Sequence, residues 1–268
     1  MMSALGPRNF GDILGETFRI YGRNFLKLLA IVAIVEVILA VLGTILGFSL
    51  WEYIMTGGTI ESLAPFIVIG IILLVGSIVA YPLMQGALIH AVSQQYLRQA
   101  IGIGKAYGFA WRRLLAMIGA GILAFLAISA IIAICITVAI FSWVGWILIP
   151  IGSVAAIYLM VRWIFIWQAA LLEGLGPIAA LSRSSALVKG NWWRVFGIML
   201  VVGLIAGAIS AILGIIPIVG GTIGSILSTP ISAVGGTLLY YDLRVRKEGY
   251  SLDTLGSELH IKSGSDVA

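Results

Sequence analysis

The chain has 268 residues, of which 61% are hydrophobic and 10% charged, and its mean hydropathy is +1.12. A water-soluble domain carries about a quarter charged residues, so the 16 Lys and Arg and 11 Asp and Glu here cannot clothe a soluble surface, and the apolar surplus must face lipid. The formal charge of +5 does not indicate nucleic acid, because the basic residues bracket apolar runs, and the one cysteine, Cys135, lies inside such a run and excludes a disulfide framework or a cysteine-based zinc site.

The first predicted element is an amphipathic helix. Phe10, Ile13, Leu14, Phe18, Tyr21, Phe25 and Leu28 share one face, while Asp12, Glu16, Arg19, Arg23 and Lys27 share the other. Such a helix can lie in the headgroup plane with its apolar side in the acyl boundary. The first long apolar run begins only near Leu28 and is followed by no small-residue cleavage site, so a cleavable signal is not expected.

Six runs then follow that are long enough to cross a hydrocarbon core about 30 Å thick, which needs about 20 helical residues. They read 28–50, 65–92, 114–140, 147–172, 195–216 and 218–241. At this depth each backbone polar group must find its partner within the segment, which selects helices over open sheet.

The connections between runs differ in charge. Arg8, Arg19, Arg23 and Lys27 precede the first run; Arg98, Lys105, Arg112 and Arg113 lie between the second and third; Arg183, Lys189 and Arg194 lie between the fourth and fifth; Arg244, Arg246, Lys247 and Lys262 follow the sixth. The remaining connections hold no Lys or Arg: one carries only Glu52 and Glu61, and the turns near Trp143 and Pro217 are uncharged. Because cytoplasmic loops hold the excess of Lys and Arg, both termini are expected in the cytoplasm of a cell (plasma) membrane.

The basic segments NFLKLL, AWRRLL and NWWRVF superpose, aligning Phe25, Trp111 and Trp192 and also Lys27, Arg113 and Arg194, at intervals of 86 and 81 residues. The expected fold is therefore all-α and polytopic: three repeats, about 8–97, 98–175 and 176–250, each an interfacial basic helix plus a transmembrane hairpin, within one domain 1–250. The tail 251–268 is polar and is expected to be disordered. Arg19, Arg23, Lys27, Trp111, Arg112, Arg113, Lys189, Trp192, Trp193 and Arg194 are expected to face lipid headgroups.

Arg162 is the only Lys or Arg inside a run, and a charge at mid-depth is costly unless it faces protein or water. Counted from the inner ends, Leu28 to Glu36 rises ~12 Å and Arg162 to Leu172 rises ~15 Å, which predicts a Glu36–Arg162 ion pair that fixes helix register or lines a polar path. Gln85, His90 and Gln168 add polarity. Pro82 and Pro230 stand at matched depth, where the helix is expected to kink or open. GTILG, GLIAG and GGTIG offer small faces for helix contact. With His260 in the tail and too few carboxylates to converge, no catalytic set, metal site or cofactor is expected, and the phosphate-loop, GxSxG and HExxH motifs do not occur.

The stretches LLEGLGPIAALSRSSALVKGNWWRVFG (171–197), LLYYDLRVRKEGYSLDTL (238–255) and FGDILGETFRIYGRNFLKLL (10–29) resemble the membrane domain found in some bacterial glycerophosphoryl diester phosphodiesterases and in stand-alone proteins of the same family. The resemblance implies a six-helix membrane domain. In the fused enzymes the chemistry belongs to a separate soluble barrel, and none is expected within these 268 residues, so enzymatic activity is not carried over. The expected function is that of a non-catalytic accessory or scaffold protein. Its partners would be anionic lipid headgroups and a membrane protein or further copies of itself, with an association to glycerophospholipid metabolism. The alternative is a small transporter or channel that uses the Glu36 and Arg162 site.

Overall fold

Asn9 opens the chain's first helix, its backbone N–H donating to the Asp12 carboxylate at 2.9 Å, the reciprocal half of a capping box. The computed structural model describes residues 8–59, 63–97, 99–142, 144–251, 254–255 and 258; Glu61, Arg98, Trp143, His260 and Lys262 lie outside the described residues. Among the described residues the elements are α1 (Phe10–Arg23), α2 (Phe25–Met55), α3 (Ala64–Tyr96), α4 (Ile103–Phe141), α5 (Val144–Arg162), α6 (Ile166–Leu172), α7 (Pro177–Val188), α8 (Trp192–Leu213) and α9 (Gly220–Glu248). Six stretches are long and apolar enough to cross a membrane: α2, α3, α4, Trp146–Leu172, α8 and α9. The protein is an all-α, polytopic membrane protein.

One aligned position decides whether a basic segment becomes a helix of its own. Asn24 ends α1 by donating its backbone N–H to the Ile20 carbonyl at 3.1 Å, and Gly190, with φ +83°, turns the chain before Asn191 and α8. The equivalent of Asn24 and Asn191 in the middle segment is Ala110, a strong helix former. There the chain does not break, and Trp111, Arg112 and Arg113 lie within the 39-residue α4. The separate interfacial helix expected in the second segment is thus not formed.

The short helices α1 and α7 pack on the spans. The buried stripe of α1 is Ile13, Glu16, Thr17 and Ile20, facing α9, whereas Phe10 and Phe18 are exposed. Glu16, expected on the outer polar face, is therefore buried. α7 packs against α4, α6, α5 and α9.

The fourth apolar run does not form one straight helix. α5 alone has 19 residues, a rise of about 28 Å that suffices for a crossing. After Arg162 the helix gives way to a turn over 163–165, and the short α6 beyond it is buried against α4, α7 and α3.

Buried side chains concentrate in one half of the spans: Leu28 to Glu36 of α2, Pro82 to Tyr96 of α3, Ala106 to Ala124 of α4 and Val195 to Ala206 of α8. This half adjoins the basic face. The other halves present Phe48, Ile71, Ile134 and Ile212 outward. α3 runs through Pro82 and α9 through Pro230 with both prolines buried, so neither helix is interrupted there. Of the small-residue motifs, Gly220 and Gly224 abut α8 at Leu213 and Ser210, whereas Gly43, Gly47, Gly203 and Gly207 face open space. Of the tail's described residues, Leu255 is buried and Glu258 accepts from Arg244 at 3.0 Å and from the Tyr250 hydroxyl at 2.6 Å.

Candidate functional site at the basic face

The last turns of α9 gather the basic face. The Asp242 side chain, fully buried, accepts from the Arg8 backbone N–H at 2.7 Å, from Arg194 of α8 at 2.9 Å and from Arg246, one turn on, at 3.0 Å. Arg194 and Arg246 also donate to the Arg8 carbonyl, at 2.5 and 2.6 Å, and Arg8 reaches the Tyr96 hydroxyl at 3.0 Å. One carboxylate thus fastens the chain's first described residue to α8 and α9. It is satisfied by charged donors, which makes such bonds about twice as strong as neutral ones.

A second carboxylate does the same for α7. Glu173, just past α6, accepts from Arg183 at 2.7 and 2.9 Å and from the Tyr240 hydroxyl. Arg183 continues to Glu248 at 2.7 Å. That hydrogen bond and the Glu173 charge raise the Arg183 pKa further above its usual value and keep the guanidinium protonated. Arg244 lies between the rings of Tyr240 and Tyr250, at 5.6 and 3.8 Å, and pairs with Glu258 at 3.0 Å. Burial pushes the Tyr250 hydroxyl pKa upward, so it remains a donor to Glu258. Lys247 donates to the carbonyls of Ala186 and Lys189, at 2.7 and 2.6 Å, where the end of α7 leaves acceptors unpaired. In sequence these partners signal themselves only as the i,i+4 pairs Asp242/Arg246 and Arg244/Glu248.

Glu36 and Arg162 are not brought together. Glu36 is buried on α2, which packs against α3, α9, α1 and α4; α5, which ends at Arg162, packs against α4, α7 and α8. The ion pairs among the described residues include neither side chain. The depth comparison assumed one continuous helix to Leu172, whereas the helix breaks into a turn at 163–165 directly after Arg162, within the apolar stretch Trp146–Leu172. Its guanidinium lies over the Tyr158 ring at 5.7 Å. Gln85 is half-buried on α3, and Gln168 is buried on α6; among the described residues neither Oε1 of Gln168 nor Nδ1 of His90, whose ring stacks on Phe109 at 4.5 Å, has a hydrogen-bond partner.

The residues expected at headgroups divide. Arg23, Lys27, Arg112 and Lys189 are exposed, with Trp111 at 64% and Trp193 at 78% exposure. Arg113 is exposed and donates to the Gly174 carbonyl at 3.2 Å. Trp192 is half-buried, stacked on Phe196 at 5.2 Å. Arg19 stays exposed while pairing with Glu16, and Arg194 turns inward to Asp242, so each is claimed by a carboxylate. Among the described residues no three His, Cys, Asp or Glu side chains converge on a metal-sized site.

The fold and this face define a polytopic membrane protein with a cross-linked basic cap. Comparison of the chain with protein-family models, with curated proteins and with solved structures returns no match.

Proposed function

We propose that this chain is a non-catalytic accessory or scaffold protein of the cell membrane, with its basic face and both termini in the cytoplasm. Its basic face engages anionic headgroups, and its spans meet a membrane partner or further copies of the chain. The observation that carries this reading is the division of the basic residues. Asp242, Glu173, Glu248 and Glu258 take up Arg183, Arg194, Arg244 and Arg246 inside the fold. Arg23, Lys27, Arg112 and Lys189 stay exposed near the ends of spans, alongside Trp111 and Trp193.

Unspent cations beside exposed tryptophans suit the headgroup layer, where each Lys or Arg near an anionic surface contributes about 1 kcal/mol and the attraction fades within a Debye length. The exposed apolar halves of the spans suit a partner in the bilayer as well as lipid. The resemblance of 171–197 and 238–255 to the phosphodiesterase membrane domains supports an association with glycerophospholipid metabolism, and the aligned basic segments support a threefold internal repeat.

The test is purification in mild detergent followed by reconstitution with spin-labelled lipids. The expected result is a stoichiometric partner or oligomer, together with a salt-sensitive preference for anionic over zwitterionic lipid at the protein surface. A monomer without lipid preference that conducts a solute across liposomes would replace this reading with a transporter.

A further inference from the structure

The turn between α7 and α8 brings the start of α8 against the end of α5. The Trp192 ring stacks on Tyr158 at 5.9 Å and 23°, and its Nε1 donates to the Tyr158 carbonyl at 3.3 Å. Beside this contact lies a cavity of about 330 Å³, lined by Tyr158, Arg162, Val188, Lys189, Gly190 and Trp192.

The ionisable side chains of positive charge that line it, Arg162 and Lys189, are met by no carboxylate in the lining, and the ion pairs among the described residues leave both unclaimed. Arg162 is half-buried with one face over Tyr158, which leaves the guanidinium edge as donor. The adjoining end of α7 would ordinarily bring partial negative charge, but Lys247 covers it by bonding the Ala186 and Lys189 carbonyls. The first turn of the 22-residue α8 adds the positive end of its dipole from the other side. The end of α5 brings partial negative charge of its own, so the preference for an anion rests on the two side-chain cations and the start of α8.

We propose that this cavity binds the phosphate of an anionic phospholipid headgroup. The proposal rests on the headgroup reading above and narrows it from a charged surface to one built site. An arginine edge presents paired donors that match a phosphate, while the lysine supplies a point charge. The volume lies at the small end of ligand pockets, which run from roughly 300 to 1,000 Å³ and so admit a headgroup. Lipid is favoured over free phosphate because the cavity opens at the end of a membrane-crossing helix, next to Trp193, which is 78% exposed in the position of an interfacial aromatic.

The test is native mass spectrometry of the full chain with a phosphatidylglycerol or phosphatidic acid titration against a phosphatidylcholine background. Arg162→Gln with Lys189→Gln is expected to weaken one tight lipid adduct by about tenfold or more, since both charged donors to the phosphate are lost. Arg19→Gln with Lys105→Gln, which removes equal charge from exposed positions outside the headgroup set proposed above, is expected to change it less than about twofold, as for diffuse attraction. Lys189→Gln alone, at an exposed side chain, and Arg162→Lys, which keeps the charge but not the fork, are expected to weaken it partially, and they decide the matter if the double variant does not fold. Equal losses from the two double variants would overturn the cavity while sparing the headgroup reading; no anionic preference in the unaltered protein would sink both. Displacement of the lipid by glycerol phosphate or inorganic phosphate at comparable concentration would overturn the lipid as the source of the phosphate.

Discussion

Asp242 shows how a single carboxylate can organise a face of a membrane protein. Its side chain is fully buried, yet two guanidinium groups and one backbone amide reach it at 2.7–3.0 Å. Removing its charge leaves Arg194 and Arg246 beside each other and beside the Arg8 carbonyl, with nothing to balance them. Because both arginines keep partial contact with solvent, the penalty falls below that of a fully buried pair. Asp242→Asn is expected to destabilise the protein by about 2–3 kcal/mol. Arg19→Gln, which breaks a pair whose arginine is exposed, should change stability by about 0.5 kcal/mol or less. Paired thermal melts in one detergent check this; equal shifts for the two variants would remove Asp242 from its organising role. The Asp242/Arg246 half of the site is legible in sequence as an i,i+4 spacing. The Arg194 and Arg8 halves arrive through tertiary folding from other elements, and no local pattern announces them.

The elements were legible where solvent dictates them and hidden where side chains negotiate with backbone. Hydropathy gives six crossings because lipid demands about 20 apolar residues from each. It gives no sign of the break after Arg162, since Trp163, Ile164 and Phe165 are as apolar as their neighbours and include no glycine or proline. What holds the break is Ser184 of α7, whose hydroxyl accepts from the Phe165 N–H at 3.1 Å and donates to the Arg162 carbonyl at 2.8 Å. A helix that opens here would otherwise leave both backbone groups unpaired in a buried setting. Ser184→Ala removes both bonds at once and is expected to cost about 1–3 kcal/mol. Hydrogen exchange should also quicken at 163–165 while α8 amides stay protected; uniform protection across 160–170 would show that the turn does not depend on α7.

At the scale of the whole molecule, the core sits beside the basic face because that is where packing has something to gain. Between lipid-solvated helices apolar burial drives nothing, so association depends on close contact and on polar bonds. Both occur in the same half: the ion network at the helix ends, and the tight approach of α3 to α4 at Gly86, where an added Cβ would stand 2.8 Å from the Ala110 Cβ and 3.2 Å from the Met117 sulfur. Of the sequence motifs, GGTIG makes a close contact of its own, at Leu213 and Ser210 of α8 away from this half, and the others meet nothing among the described residues. Gly43 and Gly47 form a GxxxG pair whose positions face open space, and Gly86 belongs to no such pattern, because the contact is made with an alanine and a methionine on the other helix. Gly86→Ala is therefore expected to force α3 and α4 apart and to destabilise by about 1–3 kcal/mol, the range for overpacking. Gly47→Ala meets no neighbour in the monomer and is expected to stabilise by about 0.5–1 kcal/mol through helix propensity. Melts of both variants in detergent separate the cases, and the Gly47 result carries a second meaning. If Gly47→Ala instead loses stability in a way that depends on protein concentration, the exposed half of α2 is a helix-contact surface between copies of the chain, and the outward apolar halves belong to an assembly larger than one chain.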